Sequence, residues 1–203
     1  MNVNEVKFYR IKNEIRILGI DDAPFNFREK KTMLIGTIFR GGSWLDGILK
    51  TEIEVDGINA TKKIISMVKK TKHKDLRVIM LDGLTFAGFN IVDIEEIFKK
   101  TKLPVIVIIR RMPDFKKIKI ALKKMNDKEN YFFRLKCIEK ASIPRKIEIR
   151  KGKNIYIQYY GINFSDAKKI VRLSATRSLI PEPLRVAHLI ATGISLGESR
   201  GRA

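Results

Sequence analysis

Two aspartates stand where buried strands should end. Leu81-Asp82-Gly83 closes an apolar run over residues 76–81, and Asp21-Asp22 closes another over residues 15–20. In open α/β sheets the carboxyl ends of the strands are where ligands and catalytic groups collect. Phosphodiester hydrolysis must activate a water and stabilise charge on both the phosphoryl and the leaving oxygens, and carboxylate-held divalent ions meet these demands. Magnesium prefers oxygen ligands and retains waters, so a few aspartates suffice. Asp21 and Asp82 are therefore expected to ligate Mg²⁺, or Mn²⁺ in its place, with Asp22 or Asp56 contributing. Asp22 on its own reads as a turn or supporting residue. Asp46 and Asp93 read as solvated or capping groups.

The surrounding charge points to the substrate. Lys+Arg 42 against Asp+Glu 22 leaves a net +20 on 203 residues. A polyanionic partner is the natural inference, because phosphate neutralisation with counterion release dominates nucleic-acid affinity. A heat-adapted composition would raise Glu together with Lys, yet here the acids lag by 20 (42 minus 22). A nucleic acid is the expected partner. The 44% hydrophobic content excludes a disordered chain. Cys137 is the sole cysteine, which excludes an intrachain disulfide and a cysteine-built zinc site. The N-terminus shows no charged start followed by an apolar stretch of signal type. The longest apolar strand, residues 103–109, is far too short to cross a bilayer. The expectation is a cytoplasmic protein with no membrane contact and no obligate protein partner.

The elements that must position the aspartates follow from the hydrophobic pattern. Residues 1–14 are polar and mixed, a short leading strand or arm. Strands are expected at 15–20 and 32–39, and at 49–55, where Lys50, Glu52 and Glu54 alternate with Leu49, Thr51, Ile53 and Val55. Short links between them favour an antiparallel meander. Ala60, Ile64, Met67 and Val68 recur at helical spacing, predicting a helix over 59–71 before the strand at 76–81. A second helix over 90–100 leads to 103–109, whose unbroken apolar run suits a parallel strand covered on both faces. The order β-β-β-α-β-α-β is that of a ribonuclease-H-like α/β fold, three antiparallel strands and then parallel crossovers. Pro113-Asp114 opens another helix, which the polar stretch 126–130 breaks. Residues 147–150 and 155–160 read as a hairpin around Lys151-Gly152-Lys153-Asn154. Ser165 is the expected N-cap of a helix through Leu173, and a final helix runs from Leu184 to about Leu196. With no repeat and no Gly/Ser linker, residues 1–203 are expected to form one domain.

Other residues admit a chemical and a plain structural reading. Gly83 accommodates a tight turn and would also let a phosphate approach the backbone. Gly41-Gly42 offers a mobile loop, and Trp44 or Phe25 could stack on a displaced base, although ordinary packing is the first expectation for both aromatics. Arg110-Arg111 follows a buried strand on the sheet edge of the aspartates, where it could clamp a phosphate. The lysine pairs (Lys69-Lys70, Lys99-Lys100, Lys116-Lys117, Lys123-Lys124) are individually solvated faces, and only their sum argues for DNA.

Three segments carry a resemblance to a known family. Leu18-Gly19-Ile20-Asp21 and Leu81-Asp82-Gly83 resemble the two aspartate motifs of endonuclease V. Pro181-Glu182-Pro183-Leu184-Arg185-Val186-Ala187-His188 resembles the stretch that opens that family's last helix. Arg40-Gly41-Gly42-Ser43-Trp44-Leu45-Asp46-Gly47, residues 81–93 and Gly197-Glu198-Ser199 make the whole chain similar to the archaeal DUF99 (UPF0215) family. Those proteins are endonuclease V relatives described as acting on deoxyuridine in DNA. The resemblance implies a ribonuclease-H-like fold, a divalent metal and DNA repair. It matches Asp21 and Asp82 to the family aspartates and His188 to the histidine of the final helix. Leu184, His188 and Ala191 share one helix face, so His188 points inward. A lone inward histidine is ordinarily a satisfied core group, and the match adds metal positioning or proton transfer. The family's catalytic glutamate has no counterpart in residues 54–61, where Asp56 is the nearest acid. The Pro-Tyr-Ile-Pro wedge is also missing, which favours a lesion other than deoxyinosine. Two other readings stay open: a nuclease for inosine-containing nucleic acid or structured RNA, and a catalytically silent nucleic-acid-binding module.

Overall fold

A computed structural model describes residues 5–26, 28–125 and 127–199. Residues 1–4 of the expected leading arm and Asn126 of the expected helix break lie outside the described residues. Three strands, β1 (Arg16–Asp22), β2 (Lys31–Arg40) and β3 (Trp44–Glu54), form the meander, and α1 (Ala60–Lys70) leads to β4 (Val78–Asp82). A small hairpin of β5 (Thr85–Phe86) and β6 (Asn90–Ile91) precedes α2 (Ile94–Thr101) and β7 (Val105–Ile109). Then come α3 (Phe115–Lys124), α4 (Tyr131–Lys140), β8 (Arg145–Arg150), β9 (Lys153–Tyr160), α5 (Phe164–Ser174) and α6 (Glu182–Leu196). Seven strands make one mixed sheet in the order β3-β2-β1-β4-β7-β9-β8. β1, β4 and β7 run parallel at its centre, and their neighbours run antiparallel.

The side-chain alternation of the central strands splits the core in two. Leu18, Ile20, Ile79, Leu81, Val105 and Val107 bury one face against Ile64 of α1 and Ile94 and Ile97 of α2. Ile17, Val78, Met80, Ile106 and Ile108 bury the other against α5 and Leu184 of α6. Each fully buried isoleucine contributes about 1.5–3 kcal/mol of transfer free energy. Coverage on both faces is why these strands read as unbroken apolar runs.

Several boundaries differ from expectation for local reasons. Asp21 and Asp22 lie inside β1 rather than in the turn after it, since both continue the pairing with β2. Asn90 and Ile91 pair in the small hairpin, and α2 begins later, where Asp93 accepts a hydrogen bond from the Glu96 N–H as its N-cap. The α5 cap is Asn163 rather than Ser165, its side chain accepting from the Asp166 N–H at 2.9 Å. The sequence pattern does not announce α4. It buries Arg134, 1% exposed, whose guanidinium donates to the carbonyls of Phe89 and Asp56 and pairs with Asp127.

Candidate active site

The strand register puts the two family aspartates side by side. Ile20 of β1 is paired with Leu81 of β4, so one step on Asp21 and Asp82 face each other across adjacent parallel strands. That spacing is about 5 Å, and paired residues in a parallel sheet point to the same face. Both carboxylates project toward the α5–α6 side, the side of Ile17 and Met80. Asp22, next along β1, points to the opposite face, where its Oδ2 accepts the Ala87 N–H at 2.7 Å.

A close backbone approach aligns α6 over this pair. A Cβ on Gly19 would lie 2.5 Å from Pro183, so only glycine permits the helix start to lie this near β1. The Thr37 hydroxyl of β2 donates to the Pro183 carbonyl at 2.6 Å and fixes the same point from the neighbouring strand. From Pro183 to His188 the helix rises about 7.5 Å, and from Gly19 to Asp21 the strand rises about 6.6 Å. The two advances match, and His188 Nδ1 meets Asp21 Oδ2 at 2.9 Å. Its Nε2 is buried with no hydrogen-bond partner among the described residues. Buried Glu182, in the first turn of α6, is held by a forked contact from Arg185, and a carboxylate there also suits the helix dipole.

The electrostatics show three acids competing for little compensation. Burial, then the charge on Asp21, pushes the Asp82 carboxyl up to about 6, against the opposing pull of Arg110 and His188. Burial and the same Asp21 charge push Asp22 up to about 7. The hydrogen bond to Asp21 raises His188 above its ordinary value despite its desolvation. Arg110 Nη2 lies 3.0 Å from Asp82 Oδ2 and is the nearest permanent cation in this set. A carboxylate pair in which the Asp21 charge disfavours that of Asp82, with a buried imidazole nitrogen beside it, fits a divalent cation. Asp21 and Asp82 would hold it. Among the described residues no three His, Cys, Asp or Glu side chains converge as a complete metal cage. Magnesium tolerates this, since waters and substrate phosphates fill its remaining positions.

The endonuclease dU family model matches residues 13–195. The chain belongs to this family. A UPF0215 protein of Methanosarcina mazei is 55% identical over 197 residues, covering 96% of this chain and 98% of the relative. One from Methanothermobacter thermautotrophicus is 56% identical over 198 residues, covering 97% and 95%. Among solved structures, a protein of unknown function from Archaeoglobus fulgidus superimposes with a TM-score of 0.78 at 40% identity, covering 88% of this chain and 97% of that one. Ciona intestinalis endonuclease V, crystallised with an inosine-containing DNA, gives 0.57 at 16% identity, covering 85% and 82%. That likeness shows the fold, which is ribonuclease-H-like as expected.

The other expected residues divide. Gly83 (φ +90°) turns the chain directly after Asp82, and its N–H donates to the Ile108 carbonyl. Room for a Cβ exists there, so the backbone conformation is what selects glycine. Arg110 and Arg111 lie at the same sheet end, beyond Ile109 of β7. Asp56 is engaged elsewhere: its Oδ1 accepts the Phe89 N–H at 2.8 Å, bracing the β5–β6 hairpin, and it is not joined to the Asp21–Asp82 pair. Trp44 is misplaced for base stacking at this site. Arg40, its partner in the β2–β3 turn, pairs with Arg16, six residues down β1 from Asp22 and hence about 20 Å away. Nor is the Gly41-Gly42 turn a loose loop, because both glycines are buried, with Gly41 bonded to the Ile15 carbonyl. Asp46 is ion-paired rather than solvated. Among the described residues no helix is long and apolar enough to cross a membrane.

Proposed function

We propose that this protein is a divalent-metal-dependent endonuclease that nicks DNA at a deaminated base, deoxyuridine foremost, as a step in DNA repair. The observation that carries the reading is the pairing of Asp21 and Asp82 on one sheet face beneath His188, in a chain of net charge +20. Family membership supports the substrate. Mg²⁺ or Mn²⁺ held by Asp21 and Asp82 would supply Lewis-acid polarisation and neutralise phosphoryl charge. His188 Nδ1, 2.9 Å from Asp21 Oδ2, would position that carboxylate and exchange a proton with it beside the metal. Arg110 is released from Asp82 to contact the scissile phosphate, and the turn at Gly83 lets the backbone approach it. A second reading, a silent DNA-binding module, draws on the lack of a third acidic ligand beside Asp21 and Asp82 among the described residues.

The test is cleavage of labelled oligonucleotides carrying one uracil, one hypoxanthine or no lesion, and of a structured RNA, with Mg²⁺ or EDTA, by wild type and Asp82→Ala. Uracil-dependent nicking lost in EDTA and in the variant is the expected result. Cutting at hypoxanthine or RNA alone would reassign the substrate, and binding without any cut would leave the silent module.

A further inference from the structure

A groove of about 810 Å³ opens from the active-site end of the sheet, with Asp82 and Gly83 at one side and Arg110 and Arg111 along its rim. Ile155, Leu179 and Ile180 form an apolar floor on the α5–α6 face, the face of Asp21 and His188. The far rim follows from register. Ile109 of β7 pairs with Tyr156 of β9, so continuing the antiparallel ladder sets Asn154 opposite Arg111. The β8–β9 tip, Lys151-Gly152-Lys153, therefore stands next to Arg111, and all three tip residues are exposed. The tip is braced at its base. Arg150 Nη2 donates to the Thr176 carbonyl at 2.9 Å, tying the hairpin to the 174–180 segment that carries Leu179 and Ile180, and Arg172 Nε of α5 donates to the Glu148 carbonyl at 2.8 Å. One acid lies near: Glu148, which accepts the Gly152 N–H.

We infer that this groove is the channel for the cut DNA strand beside the scissile phosphate, with Arg111, Lys151 and Lys153 neutralising flanking phosphates. The inference rests on the nuclease reading for the position of the scissile bond. Its charge argument is independent: Arg110 and Arg111 line the groove, the register sets the Lys151 and Lys153 tip beside its Asn154 end, and its apolar floor suits sugar and base faces. Such contacts carry no sequence information and serve to set the strand's register.

The test uses the full chain and a fluorescent uracil-containing duplex in EDTA, with Kd measured against salt. Lys151→Gln/Lys153→Gln is compared with Lys69→Gln/Lys70→Gln, an equal charge change at the exposed C-terminal end of α1, whose last turn leads toward the start of β4. The hairpin pair should bind about tenfold more weakly near 0.1 M salt, with a log–log salt slope shallower by about 2, and the α1 pair should stay within about twofold of wild type. Thermal unfolding of both variants should match wild type. Hairpin variants that bind like wild type, or two pairs that weaken equally, would overturn the channel. Selective weakening in a protein that cuts no oligonucleotide would uphold the channel and remove the nuclease reading instead.

Discussion

The two ends of the sheet carry nearly the same chemistry and put it to opposite use. At one end Asp21 meets one histidine and Asp82 one arginine, with Asp22 next along β1 on the opposite face. At the other, Asp46 lies between Arg16 at 2.8 Å and Arg40 at 3.0 Å, Arg16 also reaches Asp75, and its Nη1 faces His73 Nδ1. Where cations match the acids, the cluster closes on itself and ties β1, β2 and β3 to the segment before β4. Where acids outnumber cations, burial and mutual repulsion lift the Asp82 and Asp22 carboxyls to about 6 and about 7. Residue types alone do not separate a site from a clasp. The local charge balance does.

The sharpest way to break this comparison is to neutralise one acid at each end. Asp82→Asn should lower single-turnover nicking by about 10³-fold or more, equivalent to about 4 kcal/mol of barrier, without lowering the melting temperature at pH 8. Asp46→Asn should cut normally yet lose about 1–3 kcal/mol in urea unfolding, because it leaves guanidinium groups under-compensated. An Asp46→Asn variant that lost cleavage while keeping its stability would put the chemistry at the wrong end.

Divalent cation should register at one end only. At a Mg²⁺ or Mn²⁺ concentration of 100 times Kd, wild type and Asp46→Asn should each gain about 2.7 kcal/mol of stability. Asp82→Asn should gain little, and equal gains in all three proteins would place the cation elsewhere.

The acid-rich end should also leave a mark on the pH dependence of stability. In metal-free buffer the folded chain keeps a proton on Asp22 up to about 7, whereas the unfolded chain releases it near 3.8. The folded state thus binds more protons across that window, and stability falls as pH rises through it. Asp22→Asn should remove part of the fall between about pH 4 and pH 7, at about 1.4 kcal/mol per unit of displacement. An unchanged profile would mean that Asp22 ionises freely. The smallest effect is expected from Trp44→Ala: this side chain is 62% exposed at the clasp end, so cleavage should stay within about twofold of wild type. A large loss of cleavage would bring that end into the reaction.

Much of this geometry is legible in the residues. The central strands announce themselves because both faces are covered, and His188 follows from the 3.6-residue period of α6. The placement of Asp22 follows from the same logic: in a strand, neighbours alternate faces, so where Asp21 and Asp82 share a face Asp22 turns away. α4 is hidden because one of its buried anchors is a guanidinium, which a hydrophobic pattern scores as surface. The roles of Trp44 and Asp56 depend on where β3 begins and on the β5–β6 hairpin. Long-range pairing decides those features, and local residue preferences carry no record of them.

The Gly19–Pro183 contact has a consequence for synthesis. Asp21 and His188 are separated by 167 positions. A chain emerging from the ribosome at its N-terminus presents Asp21 long before its imidazole partner exists, and contacts this distant in sequence are among the last to form. The only backbone that admits α6 is a glycine already set in a finished β1, flanked by a finished β2 whose Thr37 takes the Pro183 carbonyl. The Asp21–His188 contact is thereby completed only when β1, β2 and α6 are all in place, so on the nuclease reading a half-made chain would lack it.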